Sequence, residues 1–351
     1  MYRYEKRSRD EREFYIEVLR IIAVIFVIFN HTDGYFLYYS NTENPLTWWF
    51  SFVGSALCRI NVPLFIMITG ALLLKKEESI GDLFRKRVSR ISAVLIIFSL
   101  FYYTVNSIRN SDTDFSLGDF FKGLVNGSIQ ESFWYLYLYL GLLLLMPLLR
   151  KLALSCKNSE LRYLLLLQTI MITGGGVFSW ITDIGINSNL YILNEFVFYL
   201  LAGYYLGQRI DIKHISKQWI RGSLVINILC LLGTWMIVKA GYFRHGFYEQ
   251  DLLRLFTPAL AMGIFLDIRY LCQRYCFPKK FEIMLKEAGS CVFGIYLLEQ
   301  FVRMQMLPLY LYLTQNTFGI LACSGYVVCS FVLAWLYAEL LKRIPVLNRL
   351  L

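Results

Sequence analysis

The sequence predicts an all-α polytopic membrane protein, with about ten transmembrane helices around a central cavity and both termini in the cytoplasm. Three observations carry this expectation. Of the 351 residues, 57% are hydrophobic and 17% charged, against about 25% charged in soluble domains. Mean hydropathy is +0.50, and the apolar residues gather into runs of about 18 or more, the length that crosses a bilayer as a helix. Finally, the 35 Lys and Arg segregate to alternate loops. A soluble enzyme, a disordered chain and a secreted scaffold are all excluded.

The apolar runs place spans at 15–38, 47–74, 90–108, 133–149, 163–180, 190–208, 219–239, 251–270, 288–312 and 317–341. With the N-terminus inside, most basic residues fall in the inner segments. The outer loops hold only Arg109, Lys122, Lys239 and Arg244, while Arg20, Arg59, Arg254 and Arg303 lie within spans. This is the positive-inside bias of membrane proteins. It requires an even number of spans, because one missed helix would invert every later loop. The net charge of +10 is therefore a topology signal that also suits anionic lipid headgroups, and nucleic acid is not expected as a partner. The chain divides into a cytoplasmic N-terminal segment (1–14), a transmembrane domain (15–341) and a cytoplasmic tail (342–351). The charged stretch to Glu13 leads into an apolar run too long for a cleavable signal peptide. The eight cysteines show no paired metal spacing. Cys272 and Cys276 lack the further ligands a zinc site needs, so no metal is expected.

Taken in chain order, the first span holds the densest set of ionisable residues: Glu17, Arg20, His31 and Asp33. Such residues are costly in a bilayer and by default mark function. Eleven residues at ~100° each are three turns plus about 20°, so Arg20 and His31 share a face about 16 Å apart. Glu17, one turn before Arg20, can pair with it. His31 is the one histidine within a span, since His214 and His245 fall in loops. Imidazole titrates near neutral pH and suits a general base; a core histidine donating to a carbonyl is the other reading, and both stand at this point.

The second span carries Arg59, with Pro63, Thr69 and Gly70 interrupting its apolar run. Broken membrane helices line cavities, so Arg59 reads either as an anion contact there or as a snorkelling residue. The inner loop 75–90 is basic, with Arg85, Lys86, Arg87 and Arg90. The outer loop 109–132 is acidic, with Asp112, Asp114, Asp119 and Glu131. A third loop, 240–251, is polar and aromatic. Acids and aromatics on an outer face suit a glycan, and equally a solvated loop. In the ninth span Glu299 and Arg303, at i and i+4, read as an intramembrane ion pair. Asp183, Glu195, Arg254 and Glu131 are weaker candidates near outer helix ends.

These residues resemble the acyltransferase-3 family of integral membrane acyltransferases over nearly the whole chain. Glu17, Arg20 and His31 fill the family's opening pattern of an acid, an arginine, ten residues and a histidine. RINVPLFIMITGALLL is similar to its second-helix signature, with Thr69 for the usual serine before Gly70. FRKRVSRI resembles the basic lead into the third span. FWYLYLYLGLLLLMPLL, FYLLAGYYLG and SCVFGIYLLE follow in the family's order. One departure is Glu299, where many members have a histidine after Tyr-Leu-Leu.

The resemblance implies transfer of an acyl group, usually acetyl, from cytoplasmic acyl-CoA to a hydroxyl of an envelope glycan or lipid-linked sugar, in the cell membrane. Arg20, together with Arg59, Arg85, Arg87 and Arg90, would hold the coenzyme A phosphates. His31 would act as base or itself be acylated, assisted by Arg20 and Glu17. Asp33, Glu131, Glu299 and Arg303 would lie toward the acceptor. A homo-oligomer is compatible with the sequence. The competing readings are a transporter of a small polar solute such as serine and a component of polysaccharide export.

Overall fold

The computed structural model describes residues 2–32, 44–109, 116–186, 193–212, 215–316 and 318–351. Among these the only regular secondary structure is helical. In chain order the α-helices are α1 (Tyr2–Asn30), α2 (Pro45–Cys58), α3 (Asn61–Leu73), α4 (Ile80–Leu83), α5 (Ser89–Arg109), α6 (Leu117–Asn126), α7 (Trp134–Ser155) and α8 (Asn158–Thr169). They continue as α9 (Gly175–Thr182), α10 (Glu195–Tyr204), α11 (Lys217–His245), α12 (Thr257–Arg274), α13 (Lys279–Ser290), α14 (Val292–Asn316), α15 (Gly319–Lys342) and α16 (Pro345–Leu350). Among the described residues seven helical stretches are long and apolar enough to cross a membrane: Pro45–Leu73, Ile80–Arg109, Glu131–Ser155, Asn158–Thr182, Lys217–His245, Gln250–Arg274 and Gly319–Lys342. The expected first, sixth and ninth spans are also helical, as α1, Glu195–Arg209 and α14. The charges of α1 and α14, and the shortness of the stretch between them, keep these below the same measure.

Surface pattern agrees with a lipid environment. On α15, Leu321, Val328, Val332, Leu336 and Leu340 are all exposed. Their spacings of seven and four residues put them on one helix face, an apolar stripe that water would not tolerate. Loop segments fold more than the sequence suggests. In the outer loop, Ser116 accepts a hydrogen bond from Asp119 N at 3.3 Å and starts α6; Gly127, at φ 74°, ends it in the left-handed conformation that glycine adopts without strain. The inner segment before Cys291 forms α13, where polar and apolar residues alternate with helical period.

The chain forms two compact units. The larger comprises residues 1–75 and 155–338, the smaller 76–154 and 339–351. In the larger unit α1 is the hub, packed by α2, α3, α12, α13 and α14, with Leu19, Ala23, Val24 and Ile28 fully buried. The second span is bent between α2 and α3, at Arg59–Ile60. The cause is Pro63, which has no N–H to give the Arg59 carbonyl and cannot continue a helix through it.

The closest helix pair is α3 with α10. A Cβ on Gly70 would collide with the Leu200 carbonyl, and one on Gly203 with the Met67 carbonyl. Apolar burial does not drive association between lipid-bathed helices, so backbone approach at small residues supplies the contact. Gly203→Leu is therefore expected to lose the folded protein, at a cost above the ~1–3 kcal/mol of ordinary overpacking. Thermal unfolding in detergent checks this. Gly222→Leu is the control, since its Cβ meets nothing within 4 Å and its melting temperature should stay near native.

In the smaller unit, Glu78 organises the inner segment. It accepts from Arg87 Nε at 2.9 Å, and its backbone carbonyl accepts from Arg150 Nη1 at 3.0 Å. Arg90 donates to the carbonyls of Leu350 and Leu351 at 2.8 and 2.9 Å, tying α5 to α16.

Candidate functional site

α1 delivers the central residue. The His31 amide still bonds the Val27 carbonyl at 3.1 Å, so the helical register runs on to His31. Thr32 Oγ1 then donates to Phe29 O at 2.5 Å and closes the helix end. From α14, Glu299 reaches across to His31: Nδ1 and Oε2 are 2.7 Å apart. The Glu299 side chain is 2% exposed and that of His31 24%. With Glu299 as a carboxylate, which can only accept, the contact assigns the proton of a neutral ring to Nδ1 and its lone pair to Nε2. Glu299 thereby fixes tautomer and ring orientation, and would stabilise the imidazolium if Nε2 took a proton. This is the arrangement of a carboxylate-oriented general base.

The surroundings of His31 are polar. Its neighbour Asn30 accepts from Cys58 Sγ at 3.4 Å, fastening the end of α1 to the end of α2. One residue on, Arg59 Nη2 donates to Gln250 Oε1 at 3.2 Å. Gln250 opens the short helical turn Gln250–Arg254 that precedes α12. Arg59, which caps the end of α2, is thereby held at the break between α2 and α3. At the other end of this stretch of α1, Arg20 Nη1 donates to Glu17 Oε1 at 2.7 Å, as their spacing predicts. Glu17 in turn lies against Gly289 of α13, which has no side chain to displace it.

One expectation changes. Glu299 and Arg303 do not form the expected ion pair: Glu299 spends its Oε2 on His31, and the Arg303 Nε is buried without a hydrogen-bond partner among the described residues. Of the basic inner segment, Arg87 pairs with Glu78 and Arg90 holds backbone carbonyls, while Arg85 is exposed. Arg85, Arg87, Arg90 and Glu131 belong to the smaller unit, and Glu17, Arg20, His31, Arg59, Glu299 and Arg303 to the larger. Asp33 lies outside the described residues, as do Asp112, Asp114 and His214.

Sequence reasoning missed further buried polar groups. Asn227 Nδ2 donates to Asp267 Oδ2 at 2.8 Å between α11 and α12. The Arg269 guanidinium donates to the Leu206 and Ile210 carbonyls, closing the end of the stretch that α10 begins. A charge inside an apolar run is the one signal that could have flagged Asp267 and Arg269.

The described residues thus form a helical bundle with membrane-length helices, in which a buried carboxylate orients a histidine at the end of α1. Residues 13–339 match the family model of the acyltransferase domain, so the chain belongs to the acyltransferase-3 family and is an acyltransferase. No curated protein and no solved structure matches it.

Proposed function

We propose that this acyltransferase moves an acyl group, acetyl in the simplest case, from a cytoplasmic coenzyme A thioester to a hydroxyl of an envelope glycan or lipid-linked sugar, within the cell membrane. The observation that carries the reading is the His31–Glu299 contact at 2.7 Å. It leaves Nε2 as a free base, and a sugar hydroxyl needs such a base to become a nucleophile toward a thioester carbonyl. The acceptor proton passes to Nε2, the hydroxyl oxygen bonds to the acyl carbon, and the departing thiolate takes the proton back. A donor phosphate would bind at Arg20. Glu17 engages one guanidinium nitrogen there, and the planar fork keeps further donors for an oxyanion.

Envelope membranes incubated with radiolabelled acetyl-CoA test the reading. Label should enter a glycan or glycolipid fraction with the native protein and fail to enter without it. A transporter or export component would leave the label in the thioester. In the purified protein, Arg20→Ala should weaken acetyl-CoA affinity at least tenfold. Arg20→Lys should recover it in part, because an ammonium restores charge without the fork. Unchanged affinity in Arg20→Ala would make the Glu17–Arg20 pair a structural one.

A further inference from the structure

Arg303 sits at the middle of α14, eleven residues after Val292 and thirteen before Asn316. At 1.5 Å per residue it is about 16 Å from one helix end and about 20 Å from the other. An arginine side chain cannot span either distance, so it cannot escape by snorkelling. Its Nε is buried and without a hydrogen-bond partner, and no hydrogen bond or ion pair engages the guanidinium among the described residues. The residue as a whole is half-buried, and an ionisable side chain in the middle of a membrane helix is by default a functional one. Glu299, one turn earlier on the same face, is the nearest candidate counter-ion along the helix, yet it is turned to His31.

Acyl transfer itself creates an anion at the reacting carbonyl. When the acceptor oxygen bonds to the thioester carbon, the carbonyl π pair moves onto the carbonyl oxygen and leaves a full negative charge there. That charge exists only until the pair returns, the carbon–sulfur bond breaks and the thiolate collects the proton from His31. A cation with no partner among the described residues is suited to such a transient charge, because an interaction realised only in the transition state accelerates the step. We propose that Arg303 is a catalytic residue that donates guanidinium N–H groups to the oxyanion of the tetrahedral intermediate. This rests on the thioester-to-hydroxyl transfer proposed above.

The test uses the full-length protein in lipid nanodiscs with acetyl-CoA as donor and water as acceptor, reading thiol release. Hydrolysis passes through the same oxyanion. Arg303→Met should lower kcat by ~10²–10³-fold, the loss typical of one oxyanion donor, with KM for acetyl-CoA within about twofold of native. Arg303→Lys should retain an intermediate rate, and added guanidinium ion should restore part of the rate to Arg303→Gly. These last two readouts decide the matter if Arg303→Met fails to fold. A native-like kcat in Arg303→Met, or no response of Arg303→Gly to guanidinium, overturns the proposal. So does a raised KM with kcat unchanged, which would make Arg303 the contact for a permanent anion on the substrate. A native protein that releases no thiol from acetyl-CoA, with or without envelope membranes, refutes the thioester reading itself and this role with it.

Discussion

Replacing His31 with alanine is expected to abolish acyl transfer while leaving thioester binding in place. A positioned base contributes typically ~10²–10⁴-fold, and the loss is larger if His31 also carries the acyl group. His31→Gln should fail as well: an amide can bond Glu299, but it has no basic nitrogen to accept the acceptor's proton. Single-turnover transfer from labelled acetyl-CoA, measured beside equilibrium binding of the same thioester, separates chemistry from affinity. Full activity in His31→Gln would leave the family membership intact and sink the base mechanism.

The second large effect belongs to Glu299. Glu299→Gln keeps the side chain's shape but removes the charge that fixes the imidazole tautomer and supports the imidazolium. The expected fall in kcat is ~10²–10⁴-fold by analogy with other carboxylate–histidine pairs, at unchanged KM for the donor. Glu299→Asp should be intermediate, since one methylene less draws the carboxylate away from a contact now at 2.7 Å. On the mechanism proposed above Glu299 is a positioning residue, acting through His31, and a double-mutant cycle tests that directly. In a His31→Ala background, Glu299→Gln should cost almost nothing further. Additive losses in the double variant would mean that Glu299 serves the reaction by another route, or serves the fold alone.

The departure from the family's usual histidine at position 299 acquires a meaning here. From sequence it only removed a second candidate base. In the structure the same position supplies the partner of the first.

Composition and the placement of charge by themselves determined the class of fold. An apolar run of span length must close its backbone hydrogen bonds within the segment once in lipid, so helix follows from length and hydropathy alone. The Glu17–Arg20 pair was legible for the same reason: neighbours at i and i+3 meet on any helix, whatever packs around it. The bend in the second span could be read from Pro63, because a missing donor is a local fact.

Tertiary packing decided which of several reachable partners each charge takes. Glu299 could meet Arg303 along its own helix or His31 across 268 positions of sequence, and no periodicity carries information over that distance. Packing of α14 against α1 brings the histidine within 2.7 Å, and a contact so short outweighs the flexible pairing along the helix. Gly70 and Gly203 make the same point for the scaffold. Each is permissive in sequence, and only the opposing carbonyl of the other helix makes it obligatory. Local chemistry thus set the elements and their short-range pairs. The site came from side chains competing for partners, and that competition is resolved only when the helices are side by side.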